Sequence, residues 1–306
     1  MDLDSNTHLI RIFGTVFAGL LGLAFGSFLN VCVSRWPAGE SIVRPGSHCR
    51  NCEHTLAWWE NVPLVSWLAL RGRCRKCGLA ISWRYPLVEL AIGTLWATTM
   101  WSTIPSLADA TVPSFFFYKV TATALGEMIL CWSLTALAIL DAQDLWLPNF
   151  MTLPGIALGF SFTTLIPVLR NLVPSEPHKF TIGFEILRQL PNELLGILAA
   201  AALILLIRWL YKLIRHREGM GLGDAKLMAL LAAWLGLPCA LLSFFLAAIL
   251  GSLAALTLLA FPAARRGSQS WADSKLPFGT FLCVGGIFTS LWGQQIIAAY
   301  LRWAGF

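Results

Sequence analysis

Long apolar runs, repeated along the chain and separated by short polar connections, limit what this sequence can become more than any other feature. A helix needs about 20 apolar residues to cross the hydrocarbon core of a bilayer. Eight stretches approach that length, at 9–34, 86–105, 120–140, 150–168, 192–210, 224–237, 239–262 and 280–303. With 57% of residues hydrophobic and only 12% charged, a water-soluble core would demand helices apolar on every side, so lipid has to be part of the solvent. The expected fold is an all-α polytopic membrane protein of about eight transmembrane helices. The sixth stretch is short, and Gly236-Leu237-Pro238 marks its boundary with the seventh, which leaves a seven-segment or re-entrant arrangement open as well.

The formal charge of +6 could suggest nucleic acid, but the basic residues stand in connections between apolar runs and form no groove with interleaved aromatics. Their distribution reads instead as membrane orientation. Alternate connections hold eight Lys and Arg in 35–85, none in 141–149, four in 208–223 and three in 263–279, whereas the opposite side gathers six. The positive-inside bias therefore predicts that the first set faces the cytoplasm and that both termini lie outside. The N-terminal MDLDSNTH is acidic, and the run after it has no small-residue cleavage pattern, so no removable signal peptide is expected. Three parts are anticipated: a first transmembrane segment at 1–34, a cysteine module at 35–85 and a membrane core at 86–306.

Of eight cysteines, four lie in apolar runs and four in the polar segment. Cys32, Cys131, Cys239 and Cys283 read as small buried hydrophobes. Cys49-Arg-Asn-Cys52 and Cys74-Arg-Lys-Cys77 form two CxxC knuckles separated by 21 residues, a pattern whose four thiolates can close a tetrahedral shell around structural zinc. Such a zinc-ribbon-like module would owe its folding to the metal. Two local disulfides or a redox relay are the alternatives, disfavoured where cytosolic thiols stay reduced; His48 and His54 are possible substitute ligands or plain surface residues.

Asp141 closes the apolar run Leu134–Leu140, and Asp224 ends Gly221-Leu222-Gly223-Asp224 at the mouth of the sixth stretch. Carboxylates at the edge of hydrocarbon are costly, so two at one predicted depth make a candidate site. Two close carboxyls can divide labour as base and acid, which is the requirement of an aspartic protease acting through water. The glycines would let the backbone bend and approach a partner closely. Read singly, Asp224 could equally cap the next helix and Asp141 could be solvated at the interface. Asp144, Glu127 and Asp273 read as interface or helix polarity.

The ordered motifs resemble those of the type IV prepilin peptidases, the bifunctional leader peptidases and N-methyltransferases of pilus and type II secretion systems. Gly26–Val31 with Arg35-Trp36-Pro37, Ser41–Cys52, Asn61–Trp67, the second cysteine pair and Arg84–Leu90 match in order. Asp141 stands seven residues before Pro148, Gly221–Lys226 resembles the GxGDxK segment, and Lys275–Phe281 resembles the terminal proline-phenylalanine-glycine motif. The resemblance spans roughly residues 20–285.

It implies a GxGD-type intramembrane aspartic peptidase of the bacterial inner membrane, with Asp141 and Asp224 catalytic and the site facing the cytoplasm. The substrates would be prepilins and pseudopilins, cut behind a short basic leader. S-adenosylmethionine would then supply a methyl group to the new N-terminus, and Cys49, Cys52, Cys74 and Cys77 would bind zinc. Two departures stand out: Asn149 follows Pro148 where many members are acidic, and Asp144 lies three residues after Asp141 rather than two. The methyltransferase site has no soluble-enzyme fingerprint; Glu89 is a candidate for it, or a packing residue. Lys226 either orients a carboxylate or substrate carbonyl, or snorkels to headgroups. The rival classes are an ion-coupled carrier, which would favour midplane acids and repeat symmetry, and a noncatalytic zinc-regulated scaffold.

Overall fold

The computed structural model describes residues 3–104, 113–172, 182–216, 220–260 and 276–305; Asp273 and Lys275, singled out above, lie outside them. Its long elements are helices: α1 (Leu3–Arg35), α3 (Arg84–Thr103), α4 (Pro113–Asp144), α5 (Asn149–Leu172), α6 (Ile182–Arg215), α7 (Leu222–Ala260) and α8 (Phe278–Trp303), with a short α2 (Val65–Ala69) in the polar segment. Five of these helices, α1, α4, α6, α7 and α8, carry a stretch long and apolar enough to cross a membrane. The other two expected spans, α3 and α5, are helices diluted with hydroxyl residues. Their hydroxyls return to the preceding turn, as Thr94 does to the Leu90 carbonyl, Thr98 to Thr94, Ser161 to Ala157 and Thr164 to Phe160. Such back-bonding satisfies the polar group without a partner from outside the helix.

The chain divides into two compact units, Met1–Trp132 and Ser133–Phe306. In the first, α1 and α3 pack so closely that a Cβ at Gly22 would lie 2.8 Å from the Ile92 carbonyl oxygen, and one at Gly26 would lie 2.6 Å from Glu89 Cα. Small residues four apart are how membrane helices bring backbones together when burial from water supplies no drive. The polar segment between these helices folds as two knuckles, held by the isolated bridges His48 to Thr55 and Arg73 to Ala80.

In the second unit, α7 carries a break at Gly236, whose φ of 78° and ψ of 162° are not helical. Contacts with α8 give the direction on either side. Before the break, Gly223 and Gly279 both meet Leu147, and Leu231 meets Gly286, so the two helices run the same way. After it, Cys239 meets Gly293, Ser243 meets Gly285 and Gly251 meets Phe281, so they run in opposite directions. The chain therefore reverses at Gly236, where glycine tolerates the positive φ and Pro238 follows. At about 1.5 Å per residue, Leu222–Leu235 rises only about 21 Å, short of the roughly 30 Å of a hydrocarbon core. The sixth and seventh stretches are thus two antiparallel helices, the first of them short.

Candidate functional site

Four helix ends meet at one end of the second unit. Asp141 lies in the last turn of α4, while α5, α7 and α8 begin there at Asn149, Leu222 and Phe278. Asp141 is 5% exposed and Asp224 8%, and the two carboxyls lie within electrostatic range of each other. The Thr280 N–H donates to Asp141 Oδ2 at 2.6 Å. The Thr280 hydroxyl is 3.0 Å from the same oxygen and 3.1 Å from the Ala138 carbonyl, so its one proton serves either. Asp224 Oδ2 accepts the Gly221 N–H at 3.1 Å, the reach-back half of a capping box. Each carboxylate is thus tied through Oδ2 to a helix N-terminus, a region that favours negative charge. Among the described residues no hydrogen bond reaches either Oδ1.

Glycines allow this convergence. A Cβ at Gly279 would lie 2.9 Å from Asp141 Oδ2 and 3.0 Å from its Cγ, and one at Gly223 would lie 2.9 Å from Leu147 Cδ1. The capping role left open for Asp224 is therefore real, and it coexists with the paired arrangement. Lys226 does not reach either aspartate through a hydrogen bond; its Nζ donates to Asn149 Oδ1 at 2.6 Å. Asp144 is exposed. Thr280 was not among the residues singled out, although it follows directly on the Pro277-Phe278-Gly279 motif that would have pointed to it.

Glu89 belongs to the first unit. It is 8% exposed and its Oε2 accepts the Leu64 N–H at 2.8 Å. It lines a cavity of about 400 Å³ together with Asn30, Arg35 and Glu60. Asn30 Oδ1 and Glu60 Oε1 are buried on this wall without a hydrogen-bond partner, each a cost of about 1–3 kcal/mol unless something fills the space.

Beside the cavity, the sulfurs of Cys49, Cys52, Cys74 and Cys77 lie within 4.8 Å of one another, with Cys49 and Cys77 at 3.7 Å and Cys52 and Cys74 at 3.9 Å. A tetrahedral zinc shell with bonds of about 2.3 Å has edges of about 3.8 Å, so the four sulfurs fit the ion. The two knuckles repeat one another: Cys49 N–H donates to the His54 carbonyl and Glu53 N–H to Cys49, as Cys74 N–H donates to Leu79 and Gly78 N–H to Cys74. Inward-turned amides also favour thiolates. The Leu79 N–H, then the Asn51 side chain, draw the Cys77 thiol down to about 6, and the Asn51 and Cys52 amides lower Cys49. The Cys52 thiol is pulled down by the His54 N–H, but desolvation and neighbouring sulfurs outweigh this and push it up to about 11. The histidines take no part: His48 Nδ1 contacts the Gly46 carbonyl, and His54 Nε2 contacts Glu60 Oε2 at 3.3 Å.

Comparison with known proteins covers most of the chain. Residues 20–103 match the bacterial Peptidase A24 N-terminal domain, and residues 128–256 match the type IV leader peptidase family. The prepilin leader peptidase/N-methyltransferase of Pseudomonas aeruginosa is 33% identical over 310 residues, covering 94% of this chain and 93% of the relative. That of Stutzerimonas stutzeri is 32% identical over 308 residues, 93% of each, and that of Burkholderia pseudomallei is 35% identical over 302 residues, 90% of this chain and 85% of the relative. No solved structure matches.

Proposed function

Because the chain belongs to the type IV leader peptidase family, we propose that it is a membrane-embedded aspartic endopeptidase that removes the short basic leader of prepilins and pseudopilins and then methylates the exposed N-terminus. The observation that carries the peptidase reading is the meeting of Asp141 and Asp224, from separate helices, at one set of helix ends. The excess of Lys and Arg in alternate connections supports placing this end, and the cysteine module, on the cytoplasmic side of the inner membrane.

The pair acts by sharing one proton. The ionised carboxylate takes a proton from water as the water oxygen bonds to the scissile carbonyl carbon, and the protonated carboxyl gives its proton to the carbonyl oxygen. Collapse re-forms the C=O bond, breaks the C–N bond and delivers a proton to the departing amine nitrogen. The Oδ1 atoms face this task, because Oδ2 of each residue is held by Thr280 or Gly221. The Lys226–Asn149 pair fixes the start of α5 against α7.

The cysteine module would hold zinc through Cys49, Cys52, Cys74 and Cys77 as a closed, structural site. S-adenosylmethionine, when bound, supplies an electrophilic methyl group: the amine nitrogen forms the N–C bond, the C–S bond breaks with its pair going to sulfur, and the nitrogen releases a proton.

Cleavage of a prepilin in membranes containing wild type, Asp141→Asn or Asp224→Asn tests the dyad, with protein levels compared. Each substitution keeps side-chain size and removes the acid-base group, so both variants should be inactive at normal abundance. Retained cleavage in either would remove that residue from the mechanism.

A further inference from the structure

Ten polar or charged side chains are buried among the described residues, and Asn30, Arg35, Glu60 and Glu89 of that set line the one cavity of the first unit between α1, α3 and the knuckles. Buried polar groups are ordinarily satisfied by their neighbours. Arg35 is, through the Ser41 and Gly46 carbonyls at 2.8 and 3.2 Å. Asn30 is satisfied on one side only: its Nδ2 donates to the Tyr85 carbonyl at 3.0 Å, and its Oδ1 has no partner. Glu60 is similar, since Oε2 accepts the Ala57 N–H at 2.8 Å while Oε1 has none. What the wall lacks is therefore donors. The Glu89 carboxylate adds negative charge, and Trp67 and Tyr85 add aromatic surface. A volume of about 400 Å³ is within the usual range for a small-molecule site.

We propose that this cavity binds S-adenosylmethionine, with Asn30, Glu60 and Glu89 receiving its donors and positive charge. The inference rests on the methyltransferase part of the proposed function and gives that activity a location. Acceptors without donors select a cation rich in N–H and O–H groups. S-adenosylmethionine carries an ammonium, a sulfonium, ribose hydroxyls and an adenine amine, and its aromatic base suits a wall with Trp67 and Tyr85. A cationic ligand should also be preferred over its demethylated product, S-adenosylhomocysteine, whose sulfur is neutral.

The test is equilibrium binding of S-adenosylmethionine and S-adenosylhomocysteine to the full-length protein in detergent, beside prepilin cleavage and zinc content as controls for folding. Glu60→Gln and Glu89→Gln keep the acceptors used by Ala57 and Leu64 while removing charge from the cavity; Ser66→Trp fills it from α2. Each variant should weaken S-adenosylmethionine binding roughly tenfold or more, in keeping with the loss of a charge-assisted contact or of the space itself, while cleavage and zinc content are retained. The two glutamine variants should also narrow the preference over S-adenosylhomocysteine. Wild-type binding and methylation with unchanged affinity in all three variants would overturn this location and leave the methyltransferase reading intact. A wild type that neither binds the donor nor methylates a cleaved prepilin would overturn both.

Discussion

The two units assemble polar chemistry in opposite ways. In the second, two carboxyls come together because long helices end at the same place, and glycines at 223 and 279 let those ends close on Leu147 and Asp141. In the first, the chain between α1 and α3 has almost no regular structure, and four sulfurs and a cavity wall take the place of helix packing. A helical framework needs no ion to hold its residues, because intrahelical hydrogen bonds and interhelical packing persist without one. A segment of this size with few buried apolar side chains needs a cross-link, and zinc at the four cysteines would be that link.

If the contrast is right, the two units should fail separately. The largest effect is expected from Asp141→Asn or Asp224→Asn, each lowering cleavage by about 10²–10⁴-fold, the usual contribution of a positioned acid or base. Neither should change zinc content or S-adenosylmethionine affinity. Parallel loss of donor binding would show that the units do not keep their chemistry apart. Cys77→Ser is the reciprocal experiment. It should abolish stoichiometric zinc and, with it, methylation of a supplied, already cleaved substrate, measured alongside metal analysis of the purified protein. Full zinc retention in this variant would dismiss the four-sulfur site.

These two sites were legible in the sequence for reasons tied to cost. A carboxylate next to an apolar run is expensive enough to stand out, as Asp141 and Asp224 did, and CxxC spacing constrains geometry so tightly that four cysteines imply their own cluster. What surrounds them was not legible. Thr280 holds Asp141 from a distant helix, and nothing local to a Thr reveals a partner so far away in the chain. Gly236-Leu237-Pro238 announced a break, but only the contacts of Leu231 and Cys239 with α8 show that the chain turns back. Asn149 read as a departure from an acidic pattern, yet its side-chain oxygen receives Lys226, a role in which the amide replaces a carboxylate. Asn30 and Glu60 gave no signal, since an unpartnered oxygen is a property of the folded cavity.

An intermediate effect is expected at Thr280. Thr280→Val removes the hydroxyl but keeps the N–H that meets Asp141 Oδ2, so cleavage should fall roughly tenfold through kcat with little change in KM, as for one lost hydrogen bond to a charged group. Thr280→Ser should restore most of it. A Val variant with wild-type kcat would assign the hydroxyl to the Ala138 carbonyl alone. Smaller still is the pH response of Glu60 in the module. The Ala57 N–H, helped by His54, holds its carboxyl below the usual carboxylate range. Its charge therefore stabilises the fold above the unfolded value of about 4.3, and that contribution disappears as pH falls through the lower folded value. The stability advantage of wild type over Glu60→Gln, followed by thermal unfolding with zinc-release detection, should shrink between about pH 6 and pH 3. An advantage constant over that range would mean that the charge of Glu60 is not what stabilises the module.

The smallest expected effect lies inside the module, between its two knuckles. They place the residue after the second cysteine in the same left-handed conformation, with φ of 54° at Glu53 and 71° at Gly78. Glycine enters this region freely, whereas an L side chain costs about 1 kcal/mol there. The open space around Gly78 means that backbone conformation, rather than crowding, sets the price of a side chain at that turn. Glu53→Gly should therefore raise the stability of the zinc-loaded module by up to about 1 kcal/mol, and Gly78→Ala should lower it by a similar amount, measured as opposite shifts in the zinc-release transition. Equal shifts of opposite sign would establish the knuckles as equivalent halves of one metal site. A loss of stability in Glu53→Gly would instead show that the Glu53 side chain contributes more than its backbone strain costs, and that the knuckles differ in what holds them.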